Sequence, residues 1–397
     1  MERLIKLRSN QSIHVTPTQT ATRVRSIDIL RGAIMVLMAI DHVRVYSGMP
    51  AGGPEPGIFF TRWVTHFCVS GFVFFAGTGI FLYEQKLNDP RALTRYLLTR
   101  GLWLIFLELI VIRFFWEFNL DLSRFILAGV IWMLGCCMIL MSALIKLPFK
   151  AILVSGLVLA FGQQLFHYVP AAFPGTLQEP VAYFWNFFYP TGLAYTERIA
   201  ILYVLIPWIG VMAIGYAFGK LLLLPPAKRN KCCYLIGGAA ITLFLIIGTI
   251  TTYHQSADGK LPFVFRLLNQ RKYPASILFL LMTLGPLIAL VPFAEWAKGW
   301  LSNVLSTFGR VPLFYYLVHI LLIHLVALLV NLIRVGNPHQ DWYGTAPFLG
   351  PLPEGDRWGL PVLYLVFFLV EVILYLLCRW FARFKTSHPG ERWLKYL

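Results

Sequence analysis

Residues 27–47 read IDILRGAIMVLMAIDHVRVYS, an apolar run with charged residues near both of its ends. The run has about the 20 residues that an α-helix needs to cross a hydrocarbon core about 30 Å thick. Similar apolar stretches recur along the rest of the chain. They are 63–83, 98–116, 125–145, 150–168, 197–223, 233–252, 275–293, 308–333 and 359–381. The pattern predicts an all-α protein, a polytopic transmembrane helical bundle of about ten spans.

The composition of the 397 residues supports the same fold class. Hydrophobic residues make up 58% of the chain and charged residues 13%, against roughly 25% charged residues in a typical soluble domain. The mean hydropathy is +0.68, and a soluble globule has too little interior for so much apolar sequence. The net charge of +16 would suit nucleic acid in a soluble protein. Because the Lys and Arg residues stand between apolar stretches, however, we expect no nucleic-acid partner.

The Lys and Arg residues also predict the orientation, since cytoplasmic segments carry the excess of positive charge. Both chain ends belong to the basic segments, so both termini are predicted to be cytoplasmic. We expect an N-terminal tail over 1–24, one transmembrane domain over 25–385 and a C-terminal tail over 386–397. One predicted outer loop, 253–274, is basic against this rule. Its Lys260, Arg266, Arg271 and Lys272 indicate either a site for an anionic ligand or headgroup, or a solvated loop.

Metal and nucleotide motifs are missing from the sequence. The six cysteines lie in or beside apolar stretches, without CxxC or Cys/His spacing, so we expect no disulfide framework and no metal site. The motifs of soluble nucleotide-binding proteins, zinc proteases and hydrolases do not occur either. The chemistry must therefore be sought among polar groups within the apolar stretches.

The first span concentrates such groups, and ionisable residues within a membrane are costly enough to be candidates for function. Asp28 and Arg31 can pair on one helix face, either in a ligand site or as an ordinary helix start at the membrane surface. His42 lies about 21 Å beyond Asp28, between Asp41 and Arg44. Asp41 and Arg44 are spaced to pair, whereas adjacent residues point about 100° apart on a helix. If His42 is a base, its orienting partner is therefore expected from another helix.

The second span adds Arg62 and His66, which lie four residues apart and share a face near its outer end. A short loop joins this end to the end of the first span that carries His42, so we expect the polar groups of both spans to converge. Further along, Gly71, Gly77 and Gly79 leave one side of the helix bare. Such a side allows close approach of another helix or of a thin ligand chain.

The ninth predicted span places Tyr315 and Tyr316 four and three residues before His319, so that one of the two tyrosine hydroxyls can lie on the face of the histidine. These residues serve either interhelical hydrogen bonding or the lining of a cavity. Glu108 and Glu371 are isolated carboxyl groups within spans, and each must therefore be partnered or protonated.

Four segments together resemble a known family. They read RSIDILRG at 25–32, DHVR at 41–44, FTRWVTHF at 60–67 and GRVPLFYY at 309–316. They resemble the bacterial relatives of heparan-alpha-glucosaminide N-acetyltransferase, over about 22–385. The opening segment is also similar to type-three membrane acyltransferases, in which Asp-x-x-Arg precedes a histidine near the helix end.

The resemblance implies an integral protein of the bacterial inner membrane, with an acyltransferase-like domain over 25–385. It implies transfer of an acetyl group from cytoplasmic acetyl-CoA to the amine or hydroxyl of a glycan or amino sugar on the outer side. Acetyl-CoA, this acceptor and the lipid bilayer are thus the expected partners. The sequence leaves open which glycan is acetylated, on nitrogen or oxygen, and whether the chain forms a homodimer.

The resemblance also implies roles for individual residues. The lysosomal member of the family has its catalytic histidine in the loop after the first span, where residues 51–54 here read AGGP. The catalytic match is therefore His42, as base or acyl acceptor, with Asp41 as a positioning group and His66 as the second candidate. The acyl donor is assigned Asp28 and Arg31. The acceptor is assigned Arg44, Arg62, Tyr315 and His319.

Two other classes remain open at this point. A proton-coupled transporter would use the buried charges as a proton relay, although the sequence shows no pair of matching halves. A noncatalytic membrane scaffold would tolerate the loss of His42.

Overall fold

Helices form almost all of the regular structure in the computed structural model, which describes residues 24–87, 89–121, 126–190, 199–255, 261–349, 352–353 and 355–397. The α-helices, α1 to α15 in chain order, are Arg25–Tyr46, Pro56–Trp63, His66–Leu87, Pro90–Phe106, Arg113–Glu117, Val130–Leu144, Phe149–Phe161, Gly175–Trp185, Leu205–Leu222, Pro226–His254, Phe263–Leu268, Ile277–Trp296, Trp300–Arg310, Pro312–Val335 and Leu360–Ser387. A π-helical segment, Leu107–Ile112, joins α4 to α5. Short 3-10 turns occupy Gln163–Tyr168, Pro170–Ala172, Gln340–Tyr343 and Arg392–Lys395. The predicted all-α class is confirmed.

Within the described residues, six helical segments are long and apolar enough to cross a bilayer. They are Pro56–Leu87, Leu205–Leu222, Pro226–His254, Ile277–Trp296, Pro312–Val335 and Leu360–Ser387. Helices α6 and α7 are apolar but shorter, and α1 carries several charges along its length. A helix overlaps each of the ten apolar stretches, while the count of ten spans and the cytoplasmic termini stay predictions.

Two short strands replace helix where the sequence led us to expect it. Strand β1, Ile126–Ala128, pairs in parallel with β2, Ile199–Ile201, so the helices predicted from 125 and from 197 begin later, at α6 and α9. The mutual pairing satisfies backbone groups that have no helical partner, as is required where water is scarce. The two strands bring the residues that follow them, Gly129 and Leu202, to the wall of one cavity.

Close helix packing depends on glycine at several crossings, and two of them show this most clearly. A Cβ atom on Gly77 of α3 would lie 1.9 Å from the carbonyl oxygen of Met212 on α9, and one on Gly32 of α1 would lie 1.9 Å from that of Leu305 on α13. Neither position has room for any side chain, so these helices pack backbone to backbone. The bare side of the second span that the sequence shows is thus used, in part, for contact with α9.

Helix α1 is the central element of the fold. It packs against α3, α12, α13, α14 and α15, and most of its residues are buried. We call the end of the protein where α1 begins the inner end, following the predicted orientation, and the opposite end the outer end. Arg31 and Met35, nearer the start of α1, line one cavity, and Asp41 and His42, nearer its end, line another.

Candidate active site

Two histidines from different helices are in direct contact inside the protein. His42 of α1 and His319 of α14 are separated by 277 residues, and His42 Nδ1 lies 2.7 Å from His319 Nε2. The two ring centroids are 4.9 Å apart, and the ring planes are inclined by 22° to each other. The indole of Trp116 contacts the His42 ring edge-on. His319 is therefore the partner from another helix that His42 was expected to need.

The backbone determines where the protons of this pair lie. His319 Nδ1 is 3.1 Å from the carbonyl oxygen of Tyr315, which can only accept, so we place a hydrogen on that nitrogen. In a neutral imidazole the other nitrogen, Nε2, is then an acceptor, and His42 Nδ1–H donates to it. His42 Nε2 keeps its lone pair, which a general base or a nucleophile requires.

Tyr315 contacts His319 through its backbone carbonyl and its ring, whereas its hydroxyl points elsewhere. The hydroxyl donates to the carboxylate of Glu371 on α15, and it lies 3.3 Å from the carbonyl oxygen of Met35. The four-residue spacing places the carbonyl of Tyr315 directly against His319 Nδ1 instead. Glu371 is thus one of the mid-span carboxyl groups that finds the partner it was expected to need.

Asp41 lies between two arginines. Arg44 Nε donates to Asp41 Oδ1 over 2.8 Å, which confirms the pairing expected along α1. Arg62 Nη1, from α2, lies 3.6 Å from Asp41 Oδ2 and also donates to the hydroxyl of Thr65. The three side chains are largely buried, so the carboxylate compensates charges that burial would otherwise make costly. Within the described residues its partners are these arginines and not His42, as expected for adjacent residues about 100° apart on a helix.

A cavity of about 270 Å³, which we call the outer chamber, has His42, Asp41, Arg44 and Arg62 in its wall. Loop residues also line it, among them Tyr203, Lys272, Tyr273 and Phe348. The Tyr203 hydroxyl oxygen lies 3.3 Å from that of Tyr273, and burial raises the pKa of the Tyr203 phenol well above its usual value. Of the basic residues in loop 253–274, Lys272 lines this chamber, and Lys260 lies outside the described residues.

His66 does not share the outer chamber with His42. Its Nδ1 lies 2.9 Å from the carbonyl oxygen of Trp63, and its ring contacts Phe279. It lines a smaller cavity of about 100 Å³, which borders the outer chamber because both have Ala51 and Arg62 in their walls. The predicted convergence therefore includes Arg62 and leaves His66 in the adjoining space.

A second large cavity, the inner chamber, has a volume of about 470 Å³ and a mostly apolar wall. Arg31, Arg100 and Tyr96 line it, and the Arg100 guanidinium lies 6.0 Å from the Tyr96 ring centre. The Arg31 guanidinium donates to the carbonyl of Phe75. Gly79 of α3 also lines this chamber. The glycine side of this helix therefore leaves room for a thin ligand chain as well as for contact with α9.

The two chambers meet at two aromatic side chains. Phe72 of α3 and Tyr316 of α14 line both of them, and the Tyr316 ring packs edge-on against His319. A ligand that extends from the inner chamber past Phe72 and Tyr316 would therefore arrive beside the histidine pair. Asp28, which was assigned to the donor with Arg31, lines neither chamber. It is buried with its backbone packed against Gly309 of α13.

Glu108 is a polar group of the outer chamber to which the sequence alone gave no role. It lies in the π-helical segment between α4 and α5 and lines the chamber wall. Its Oε2 accepts a hydrogen bond of 3.1 Å from the backbone N–H of Ile131, in the first turn of α6. A carboxyl group is favoured at a helix N-terminus, where N–H groups lack partners. The signal in the sequence was its isolation within an apolar stretch.

Glu108→Ala is expected to lower the free energy of unfolding by about 1–3 kcal/mol, because it leaves the buried Ile131 N–H without an acceptor. Glu108→Gln keeps an acceptor oxygen and is expected to retain most of that stability. Thermal unfolding of the detergent-purified protein measures both. Equal destabilisation by the two variants would contradict the hydrogen-bond explanation.

A family comparison bears on this arrangement. The family model described as heparan-alpha-glucosaminide N-acetyltransferase, catalytic, matches residues 23–256. The chain belongs to this family. A search of curated proteins gave no match. Membership of the heparan-alpha-glucosaminide N-acetyltransferase family implies a transmembrane acetyltransferase and acetyl-CoA as its co-substrate.

The heparan-alpha-glucosaminide N-acetyltransferase match covers α1 to α10 and ends before α11. It therefore includes His42, Asp41, Arg31 and Arg62. His319 lies beyond the matched segment, although its ring is in contact with His42. The histidine pair thus joins the matched part of the chain to the part that follows it.

Proposed function

We propose that the protein transfers the acetyl group of acetyl-CoA, bound in the inner chamber, to an amine or hydroxyl group of a glycan or amino sugar bound in the outer chamber. The observation that supports this most strongly is the pair of chambers that share Phe72 and Tyr316, with His42 in the wall of the outer one. Donor and acceptor can thus reach one point from opposite ends.

The inner chamber suits the chemistry of the donor. The pantetheine arm of acetyl-CoA is long, thin and mostly uncharged, and the chamber wall is mostly apolar. The phosphates of the donor are anionic, and Arg31 and Arg100 supply guanidinium groups, which bind phosphate through charge-assisted hydrogen bonds. In this proposal the thioester lies between Phe72 and Tyr316.

The free lone pair of His42 Nε2 supplies the base. In a direct transfer, the acceptor amine or hydroxyl attacks the thioester carbonyl carbon while its proton passes to His42 Nε2. The C–S bond breaks, and the proton held on His42 then goes to the departing CoA thiolate, which leaves as CoA–SH. The histidine is neutral at the start and at the end of the cycle. The hydrogen bond to His319 keeps its ring in the required tautomer throughout.

A two-step transfer uses the same nitrogen as the nucleophile. His42 Nε2 then attacks the thioester carbonyl carbon, the C–S bond breaks, and CoA leaves as a thiolate that takes a proton from water before the acceptor reacts. In the second step the acceptor attacks the acetyl-imidazole, the C–N bond to the imidazole breaks, and the proton of the acceptor passes to His42 Nε2 and back to water. Release of CoA in the absence of acceptor distinguishes this route from the direct one.

The outer chamber suits an acceptor with several oxygen atoms. Arg44, Arg62 and Lys272 present hydrogen-bond donors, and Asp41 provides an acceptor for a sugar hydroxyl or amine. We place this chamber on the outer side of a bacterial inner membrane and the inner end of the bundle in the cytoplasm, in accordance with the distribution of Lys and Arg. The acetyl group would then cross the membrane without the rest of its donor.

The proposal is tested with purified protein in detergent, radiolabelled acetyl-CoA and a set of amino-sugar acceptors. We expect label to appear on an acceptor, together with an equal amount of free CoA. If the protein neither binds nor turns over acetyl-CoA with any acceptor, but moves a solute in a proton-dependent way in vesicles, the chain is a transporter and the proposal fails.

Arg31→Gln is expected to raise the KM for acetyl-CoA about tenfold and to leave kcat nearly unchanged, because loss of one charge-assisted contact to phosphate weakens donor binding alone. Initial rates over a range of acetyl-CoA concentrations measure the effect. Arg95→Gln is the matched control, since Arg95 is an exposed arginine of α4 that lines neither chamber. An equal rise of KM in both variants would contradict a specific role for Arg31.

A further inference from the structure

Three arginines surround one depression at the inner end of the protein. Arg310 ends α13, and Arg379 and Arg383 lie four residues apart near the end of α15. They line a depression of about 400 Å³, together with hydroxyl-bearing residues of the same two helices. Because three positive charges face one small space, their mutual repulsion favours an anion between them.

The described residues supply no such anion. The lining of the depression contains no Asp or Glu, and among the residues that the structure describes, none forms an ion pair or hydrogen bond with these three guanidinium groups. Elsewhere, Arg44 and Arg229 each pair with a carboxylate. A planar guanidinium binds phosphate oxygens especially well, because its N–H groups match their spacing.

The face of α15 beside the depression is apolar along most of its length and basic at its inner end. Residues at alternating four- and three-residue intervals form a single stripe along this helix. From the outer part towards the inner end, the stripe consists of Leu365, Leu369, Val372, Leu376, Arg379 and Arg383. Its four apolar members are all more than half exposed. The stripe therefore changes from exposed apolar side chains to exposed arginines, as a phospholipid changes from acyl chain to headgroup.

The dimensions of the stripe match one leaflet of a bilayer. Leu369 lies ten residues before Arg379, which is a rise of about 15 Å along the helix and half of a hydrocarbon core of about 30 Å. Trp380, next to Arg379, is 60% exposed, and Trp300 at the start of α13 is 76% exposed. Exposed tryptophans are typical of the level of the headgroups.

We propose that Arg310, Arg379 and Arg383 bind the phosphate of an anionic membrane phospholipid, whose acyl chain lies along the apolar stripe of α15. A free phosphate or the phosphate of a soluble coenzyme has the same head chemistry but makes no use of the stripe. The depression shares no lining residue with either chamber, and the proposal does not depend on the acetyl transfer.

The test uses the full chain in detergent micelles, with phosphatidylglycerol added and bound lipid counted by native mass spectrometry. Arg379→Gln/Arg383→Gln is expected to weaken lipid binding at least about tenfold, since each charge-assisted hydrogen bond to phosphate is worth about a factor of ten. Arg310→Gln alone, on the other helix, is expected to weaken it in the same direction. Elution in size-exclusion chromatography shows whether each variant is folded.

The matched control is Arg91→Gln/Arg95→Gln, which removes two exposed arginines with the same spacing from α4 and does not touch the depression. It is expected to bind lipid as the unaltered protein does. Equal weakening in both double variants would show attraction by diffuse charge and overturn the proposal. Displacement of the lipid by inorganic phosphate at equal concentration, or equal binding of phosphatidylcholine, would overturn the assignment to an anionic lipid.

Discussion

His42→Ala is expected to lower kcat for acetyl transfer by about 10³-fold, because it removes the group that takes the acceptor proton or the acetyl group itself. The KM for acetyl-CoA is expected to change little, since the donor is held mainly by the inner chamber. The imidazole lies in the chamber wall between Trp116 and His319, so its truncation leaves a space but does not break an ion pair. Transfer of label from acetyl-CoA, measured under single-turnover conditions, isolates the chemical step.

His66→Ala is the matched control for this variant. Both histidines belong to the polar end of the first two helical segments, but His66 lines the adjoining smaller cavity. We expect the His66 variant to keep kcat within about threefold of the unaltered protein, because it does not touch the reacting groups. If activity were lost with His66 and kept without His42, the catalytic assignment would be reversed.

His319→Ala is expected to lower kcat about 10²-fold and to leave the KM for acetyl-CoA almost unchanged. Without an acceptor for its Nδ1–H, His42 is free to adopt the other tautomer and other ring orientations, in which Nε2 no longer presents a lone pair to the acceptor. His319 is thus a positioning residue that acts through His42. Steady-state kinetics with each substrate varied in turn separates the effect on kcat from the effect on KM.

His319→Gln distinguishes positioning from packing, because the glutamine carbonyl oxygen can still accept from His42 Nδ1. It is expected to recover about tenfold of the lost rate. The double variant of His42 and His319 to alanine is expected to be no slower than His42→Ala alone, since the two residues act as a unit. Independent, additive losses would contradict the hydrogen-bonded pair as the catalytic arrangement.

Local spacing accounts for the features of the fold that the sequence predicted well. Each apolar stretch contains helix because a chain in lipid must satisfy its backbone internally, and Asp41 pairs with Arg44 because residues three apart share a helix face. The strands at Ile126–Ala128 and Ile199–Ile201 were missed because their pairing joins segments over 70 residues apart. The spacing of apolar residues within one stretch does not indicate which distant stretch pairs with it.

The candidate site was predictable in its parts but not in its connections. His42 was singled out as a costly polar group within a span, and a partner from another helix was expected. Its identity as His319 depends on how α14 packs against α1, which spacing along either helix does not specify. Arg62 and His66 are only four residues apart, yet the chain turns at Val64 and Thr65 between α2 and α3. This turn gives the two side chains different neighbours.

Phe72 and Tyr316, which line both chambers, also bear on how well the membrane holds back ions. Each 100 mV across a bilayer does about 2.3 kcal/mol of work on an elementary charge. A water-filled path that joined the two cavities would therefore let ions leak across the membrane. In the proposed reaction an acetyl group has to pass this point while ions and protons do not. We expect the two bulky rings, which line both cavities, to restrict the passage of water and ions at the point where the proposed reaction brings donor and acceptor together.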